Sequence, residues 1–289
     1  MPKRYRKADK KYKDTVFRDL FGSEERKEYA LSLYNAFSGT SYTDPSDLQI
    51  TTLDDVIYLG LRNDVSYLVG STLSLWEHQS TYNPNMPVRG LKYFARLYAA
   101  YEKKNGLNEY GSSRLRLPTP RFVVIYVGDQ RRPYKEVMRL SDSYEGDGDI
   151  EVTATVINML ADESDGLLDR CAELKGYVRL VRLVRENQAS GAPFDEAVDS
   201  AVQQCIDEGV LEGYLVQRRA VVVDMFMDEY DEAKIAELFR NDGYRDGLRE
   251  GRIETLADLV REGMLEIAIA SERAGVSENE MRRLVGAKP

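Results

Sequence analysis

The segment "NDVSYLVGSTLSLWEHQS", residues 63–80, constrains the fold more than any other part of the chain. Two runs rich in β-branched and aromatic residues flank Gly70-Ser71. Glycine at the first central position of a two-residue loop is what a type II′ hairpin requires, because φ is positive there. A hairpin closed at Gly70-Ser71 pairs Val69 with Thr72. Followed outward, the same register sets Asp64 directly opposite Glu77 and Arg62 opposite Gln79. Alternation along a strand puts Gln79 on the face of Glu77 and turns His78 to the other face. Arg62, Asp64, Glu77 and Gln79 are thus expected on one surface. His78 is the chain's single histidine, and Trp76 beside it is the single tryptophan.

Two carboxylates facing each other across a sheet repel, and each is partly desolvated. One reading places a divalent cation between them, and all-oxygen ligation by few protein groups suits Mg²⁺. The other is a hairpin end at which the charges reach water. His78 has no second histidine to complete a zinc site, and the two cysteines are distant in sequence. Its ring reads as a packed or hydrogen-bonded core group. No nucleophile-elbow motif partners it.

Downstream, "PNMPVRGLKYFARLYAAYEKKNG" reads as a helix, with Asn85 as cap, Pro87 in the first turn and Gly106 just past the end. "RFVVIYVG" is a continuous apolar run, as in a strand covered on both faces. Strand, helix and buried strand make a βαβ unit. At about 100° per residue, Arg89, Lys92, Arg96 and Lys103 fall within a narrow arc. Val88, Leu91, Phe94, Ala95, Tyr98 and Tyr101 fall on the other side. The helix is therefore expected to pack those residues on the sheet and present a basic stripe outward. Such a stripe is ordinarily a solvated face, but beside a carboxylate pair it would meet phosphates.

Elsewhere, "KDTVFRDLFGSEERKEYALSLYNAFSG" reads as one or two helices broken at Gly22-Ser23, with Ser23 as a cap. "LQITTL" and "DIEVTATVINM" read as strands, and "VIYLGL" fits strand or turn. After Leu167 the pattern is helical, and "QASGAP" marks a soft boundary. "LEIAIASERAGVSENEMRRLVG" has a helix-turn-helix pattern whose second helix carries Arg282 and Arg283. In an acidic region it reads first as a packing or oligomerisation element, and second as a DNA reader.

The net charge of −9 and pI of about 5.0 would argue against a nucleic-acid partner if the charge were evenly spread. It is not. Residues 195–289 hold 22 acidic and 12 basic groups, against 27 and 28 in residues 1–194. The opening "MPKRYRKADKKYK" holds seven basic groups and one acid, which by itself reads as a solvated terminus. No stretch has the length and apolarity of a membrane span, and the N-terminus lacks a signal-peptide core. Cys171 and Cys205 show neither metal-ligand spacing nor a disulfide framework, so a cytoplasmic location without a membrane partner is expected.

"KDTVFRDLFG", "NDVSYLVG" and "LSLWEHQSTYNPNMPVRGLKYFARLY" together resemble the Rpn family of recombination-promoting nucleases, also labelled putative transposases, within the PD-(D/E)XK nuclease superfamily. The resemblance covers about residues 11–187 and is most specific from Glu77 through Arg89. It implies an α/β fold: a restriction-endonuclease-like core, with a mixed sheet flanked by helices in αβββαβ order, and a helical C-terminal extension. The corresponding division is a basic arm at 1–13, a nuclease-like domain at 14–190 and an acidic helical region at 191–289. By this resemblance Asp64 matches the metal-binding aspartate and Glu77 the second carboxylate. The backbone carbonyl of His78 would be a further ligand, for Mg²⁺ or Mn²⁺. Gln79 stands where the superfamily has lysine, and Arg62 is expected to replace the missing charge. An acid from the first helices, Glu24, Glu25 or Glu28, is a further candidate.

The activity implied is a Mg²⁺-dependent DNA endonuclease acting in recombination or on mobile elements. The alternative is a non-catalytic DNA-binding or scaffold protein that keeps the fold. An interaction module centred on the acidic tail ranks last. Arg89, Lys92, Arg96 and Lys103, with the basic arm, would contact DNA, and the helical tail would pair two copies as a homodimer.

Overall fold

The computed structural model describes residues 15–52, 64–161 and 165–286. The basic arm, "VIYLGL" and Arg62 lie outside the described residues. The chain forms two compact units, Met1–Glu229 and Tyr230–Pro289.

The first unit opens with α1 (Val16–Phe21) and α2 (Lys27–Ser38). The Thr15 hydroxyl caps α1 by accepting the Arg18 N–H. Ser23 caps a single 3₁₀ turn that leads into α2, so the break at Gly22-Ser23 is where the sequence puts it. Among the described residues six strands follow: β1 (Leu48–Ile50), β2 (Val65–Val69), β3 (Thr72–Gln79), β4 (Thr119–Tyr126), β5 (Lys135–Arg139) and β6 (Thr153–Asn158), with α3 (Met86–Asn105) between β3 and β4. They form one mixed sheet in the order β1-β2-β3-β4-β6-β5. β1, β2 and β3 are antiparallel, β3, β4 and β6 run parallel, and β5 is antiparallel to β6. Up to β4 the order is helix, three strands, helix, strand, counting α1 and α2 as one helical stretch.

The β2–β3 register is the one Gly70-Ser71 dictates. Val69 faces Thr72 and Val65 faces Trp76, and Gly70 has φ of +55° as the turn demands. β5 was not evident in the sequence. It is short and charged, and at the sheet edge its Lys135, Val137 and Arg139 are exposed, so no apolar face marks it.

The two faces of the sheet are covered unequally. The back face carries α1, α2, α5 (Ala172–Ala189), α6 (Phe194–Asp207) and the start of α7 (Glu212–Arg261), preceded by the single-turn α4 (Leu167–Arg170). Trp76, Val123, Ile125 and Ile157 point into this core. The front face is covered by α3, which packs on Leu73, Leu75, Val124, Tyr126 and Val156. The boundary expected at 190/191 falls inside the first unit. Val198, Ala201 and Val202 of α6 and Leu215, Val222 and Phe226 of α7 join the back-face core. The acidic shift there comes from the exposed side of α6, with Asp195, Glu196 and Asp199, and not from the end of the core.

α3 buries a different face from the one expected. Met86, Gly90, Tyr93, Phe94 and Leu97 are buried, whereas Leu91 and Ala95 are exposed. Gly90 is the cause, since a Cβ there would sit 2.5 Å from the Phe122 ring. The helix meets the sheet along this glycine, and the residues three, four and seven positions on go inward with it. Asn85 makes no side-chain cap; its N–H donates to the Asn83 Oδ1 instead.

The second unit contains α8 (Ile267–Ala274) and α9 (Glu278–Gly286), with a turn at Gly275, φ +67°. Leu256, Ala257, Ala270 and Met281 form its small core. Arg282 and Arg283 are exposed on α9, and Arg282 pairs with Glu278 at 3.1 Å. Among the described residues no helix is long and apolar enough to cross a membrane.

Candidate active site

The open end of the β2–β3 hairpin brings Asp64 and Glu77 together as the register requires. The Asp64 N–H donates to Glu77 Oε1 at 3.2 Å, and Asp64 Oδ2 accepts the His78 N–H at 2.6 Å. Glu77 is buried at 1% exposure, and Asp64 is half-buried. Burial, and then the neighbouring Asp64 charge, push the Glu77 carboxyl well above the ordinary glutamate range; Arg89 and the Asp64 N–H pull the other way. Burial also raises Asp64, against the His78 N–H bond and the nearby cations.

The cation at this site comes from α3. Arg89 Nη2 lies 2.7 Å from Glu77 Oε2, and Arg89 Nη2 and Nε donate to the Tyr93 hydroxyl at 2.7 and 3.1 Å. Burial works against the Arg89 charge, and Glu77 and Tyr93 more than offset it. Tyr93 is itself pushed to about 12, by burial first and by Glu77 second. Arg89 is therefore turned inward and is not part of an outward stripe. Lys92 and Lys103 are exposed as expected, and Arg96 is half-buried. The hypothesis that Arg62 supplies the charge falls on a residue outside the described ones, whereas Arg89 is seen in contact. Arg89 and Tyr93 stand one helical turn apart, at the i, i+4 spacing at which side chains meet. That spacing was the signal for Tyr93, which sequence reasoning missed.

Gln79 shares the front face, as alternation predicts, but its amide is spent locally. Its Nε2 lies 2.6 Å from the Met86 Sδ, and its Oε1 accepts the Asn83 N–H at 3.4 Å. It ties the loop after β3 to the first turn of α3. Glu24, Glu25 and Glu28 are exposed on the segment that packs against the back face, and Glu24 pairs with Lys27 at 2.8 Å. The fold does not bring them to the front-face pair.

His78 points to the back face, as expected. Its ring stacks on Phe17 at 5.6 Å, and Nε2 lies 2.7 Å from the Tyr177 hydroxyl. Nδ1 is 3.8 Å from a Glu229 oxygen. Its backbone N–H meets Asp64 on the β2 side. The Gln79 carbonyl accepts the Val127 N–H from the β4 side at 2.9 Å. Backbone groups alternate along a strand, so the N–H and C=O of His78 face β2, on the side of Asp64.

Among the described residues no group of three or more His, Cys, Asp or Glu side chains is placed to hold a metal ion. The donor chemistry of the pair nevertheless fits a hard divalent cation. A carboxylate offers about four lone-pair sites; hydrogen bonds take two on Glu77 and one on Asp64. The remaining sites, with the His78 carbonyl, are all oxygen, and the repulsion between the carboxylates is what a cation would relieve. Compared with protein-family models, curated proteins and solved structures, the chain matches none of them.

Proposed function

We propose that this chain is a Mg²⁺-dependent DNA endonuclease of the PD-(D/E)XK type, akin to the Rpn nucleases its sequence resembles, acting in recombination or on mobile elements. One observation carries the reading: Asp64 and Glu77 share one surface beside an arginine fixed on Glu77. Asp64 and Glu77, with the His78 carbonyl, would hold the ion. The chemistry such an ion would supply there is polarisation of a phosphodiester oxygen and a lowered pKa for a bound water. Glu77 and Asp64 supply the negative charge that selects and seats the cation. Arg89, permanently charged and aligned by Tyr93, offsets negative charge as it builds on the phosphate in the transition state. It thereby takes the electrostatic part of the superfamily lysine, and Gln79 holds the loop and helix that aim it.

The test is plasmid nicking with Mg²⁺ and with EDTA, on wild type, Glu77→Gln, Arg89→Lys and Arg89→Ala. Nicking should vanish in EDTA, and Arg89→Lys should retain more rate than Arg89→Ala. Equal nicking by wild type and Glu77→Gln would sink the proposal. A non-catalytic DNA-binding reading draws on a separate observation, that the Gln79 amide is already engaged by Met86 and Asn83. It requires binding of DNA without Mg²⁺-dependent cleavage by the wild-type chain.

A further inference from the structure

β3, β4 and β6 run parallel and end in one row, with Gln79 beside Tyr126 and Tyr126 beside Asn158. Open α/β sheets take ligands at the carboxyl ends of their parallel strands. An open cleft of about 750 Å³ lies here, walled by the loop 128–134 after β4, by the turn after β6 and by Arg185 of α5. The loop crosses closely over the sheet at Gly128, where a Cβ would sit 2.3 Å from the Tyr126 ring.

Among the described residues the lining is cationic, and two of its three arginines are held in place. Arg185 is fixed by Asp129 and the Val127 carbonyl. Arg132 bonds Glu136 and the Tyr82 hydroxyl, each at 2.7 Å, and lies over the Tyr82 ring at 3.9 Å. Its Nε is buried without a hydrogen-bond partner among the described residues. Arg131 is exposed and faces no carboxylate among the described residues. Of the nearby acids among the described residues, Asp129 faces Arg185, Glu136 meets Arg132 through Oε2 while its buried Oε1 has no partner among them, and Asp165 accepts the Tyr134 hydroxyl and faces Arg170. Among the described residues Arg131 is thus the one positive charge left over, in a lining that also holds the unpartnered Nε of Arg132. Planar guanidinium groups in this setting suit phosphate oxygens.

The cleft adjoins the candidate site. The loop leaving β3 after Gln79 carries Tyr82, which packs edge-on against Tyr126 and lies under Arg132. Gln79 and Asn158 are two strand spacings apart, about 10 Å. Along the axis of a duplex, at about 3.4 Å per phosphate of one strand, that is about three base steps. The Tyr82 face is already taken by Arg132, so that ring is not open to a base.

We propose that this cleft is a second phosphodiester subsite, gripping the backbone of the nucleic-acid strand that enters the Asp64–Glu77 site. The identity of the ligand rests on the nuclease reading above; the anion chemistry of the cleft does not. The test is fluorescence anisotropy of a short labelled oligothymidylate with the full chain in EDTA, where no cleavage occurs. Arg131→Glu should weaken binding about tenfold, Arg131→Lys should retain it, and charge removal should reduce the salt slope by about one. Unchanged binding by Arg131→Glu overturns the subsite. Inorganic phosphate that competes as well as the oligonucleotide, at equal phosphate concentration, also overturns it, in favour of a free-phosphate site. Mg²⁺-dependent nicking unaffected by Glu77→Gln would defeat the nuclease reading alone, and the anisotropy series would still decide the cleft.

Discussion

Alternate residues of β3 live in two different environments. Trp76 and His78 face the back, where several helices bury them, and the His78 ring is held by Phe17 and Tyr177. Glu77 and Gln79 face the front, where α3 is the covering helix. On the back, side chains fill space, so aromatic volume dominates. On the front, the sheet end beyond the Met86 turn of α3 is lined by polar groups that need partners. There a buried carboxylate is held by Arg89 and the Asp64 N–H against the opposing charge of Asp64. The back face reads as stability, and the front face as a site held at some cost to stability.

That contrast breaks most easily at Trp76. Trp76→Ala should cost about 3–5 kcal/mol in urea denaturation, because an indole buried against Phe37 and Tyr67 leaves a cavity. A loss below about 1 kcal/mol would mean that the back face is loosely packed.

Glu77→Gln should do the reverse. Mg²⁺-dependent nicking should fall about 100-fold, equivalent to about 2.7 kcal/mol of barrier, while stability in EDTA holds or rises. The pH dependence sharpens this. With its folded pKa above the usual 4.5, Glu77 binds a proton more tightly in the native than in the unfolded chain. Wild-type stability should therefore drop as pH rises from about 4.5 through the raised folded value, and Glu77→Gln should lose that share of the slope. Identical slopes in the two proteins would show that Glu77 is not strained. Smaller again is Tyr177→Phe, which removes the His78 Nε2 partner and should cost about 1–2 kcal/mol with nicking preserved. A fall in nicking as large as that of Glu77→Gln would show that the back-face anchor of β3 positions the front-face pair.

Much of this was legible in the chain. Gly70-Ser71 fixed the register, because only a positive-φ residue fits the first position of that turn, and the register placed Asp64 against Glu77 and turned His78 away. The βαβ unit was equally plain from its apolar strand and punctuated helix. The rotation of α3 was not. Hydrophobic spacing favoured Leu91 and Ala95, whereas close approach at Gly90 against Phe122 decided the contact, and such an approach involves a residue from a distant strand. The same rotation moved Arg89 from the surface to Glu77.

The features legible along the chain are therefore local: a turn type, an alternation, and a pair of carboxylates forced to face each other. Which cation meets them, which amide is spent, and that three arginines from β4–β5 and α5 gather at the strand ends were decided by tertiary structure. The reason is that charge compensation and close packing depend on distances between segments far apart in the chain, and no short-range pattern encodes those distances.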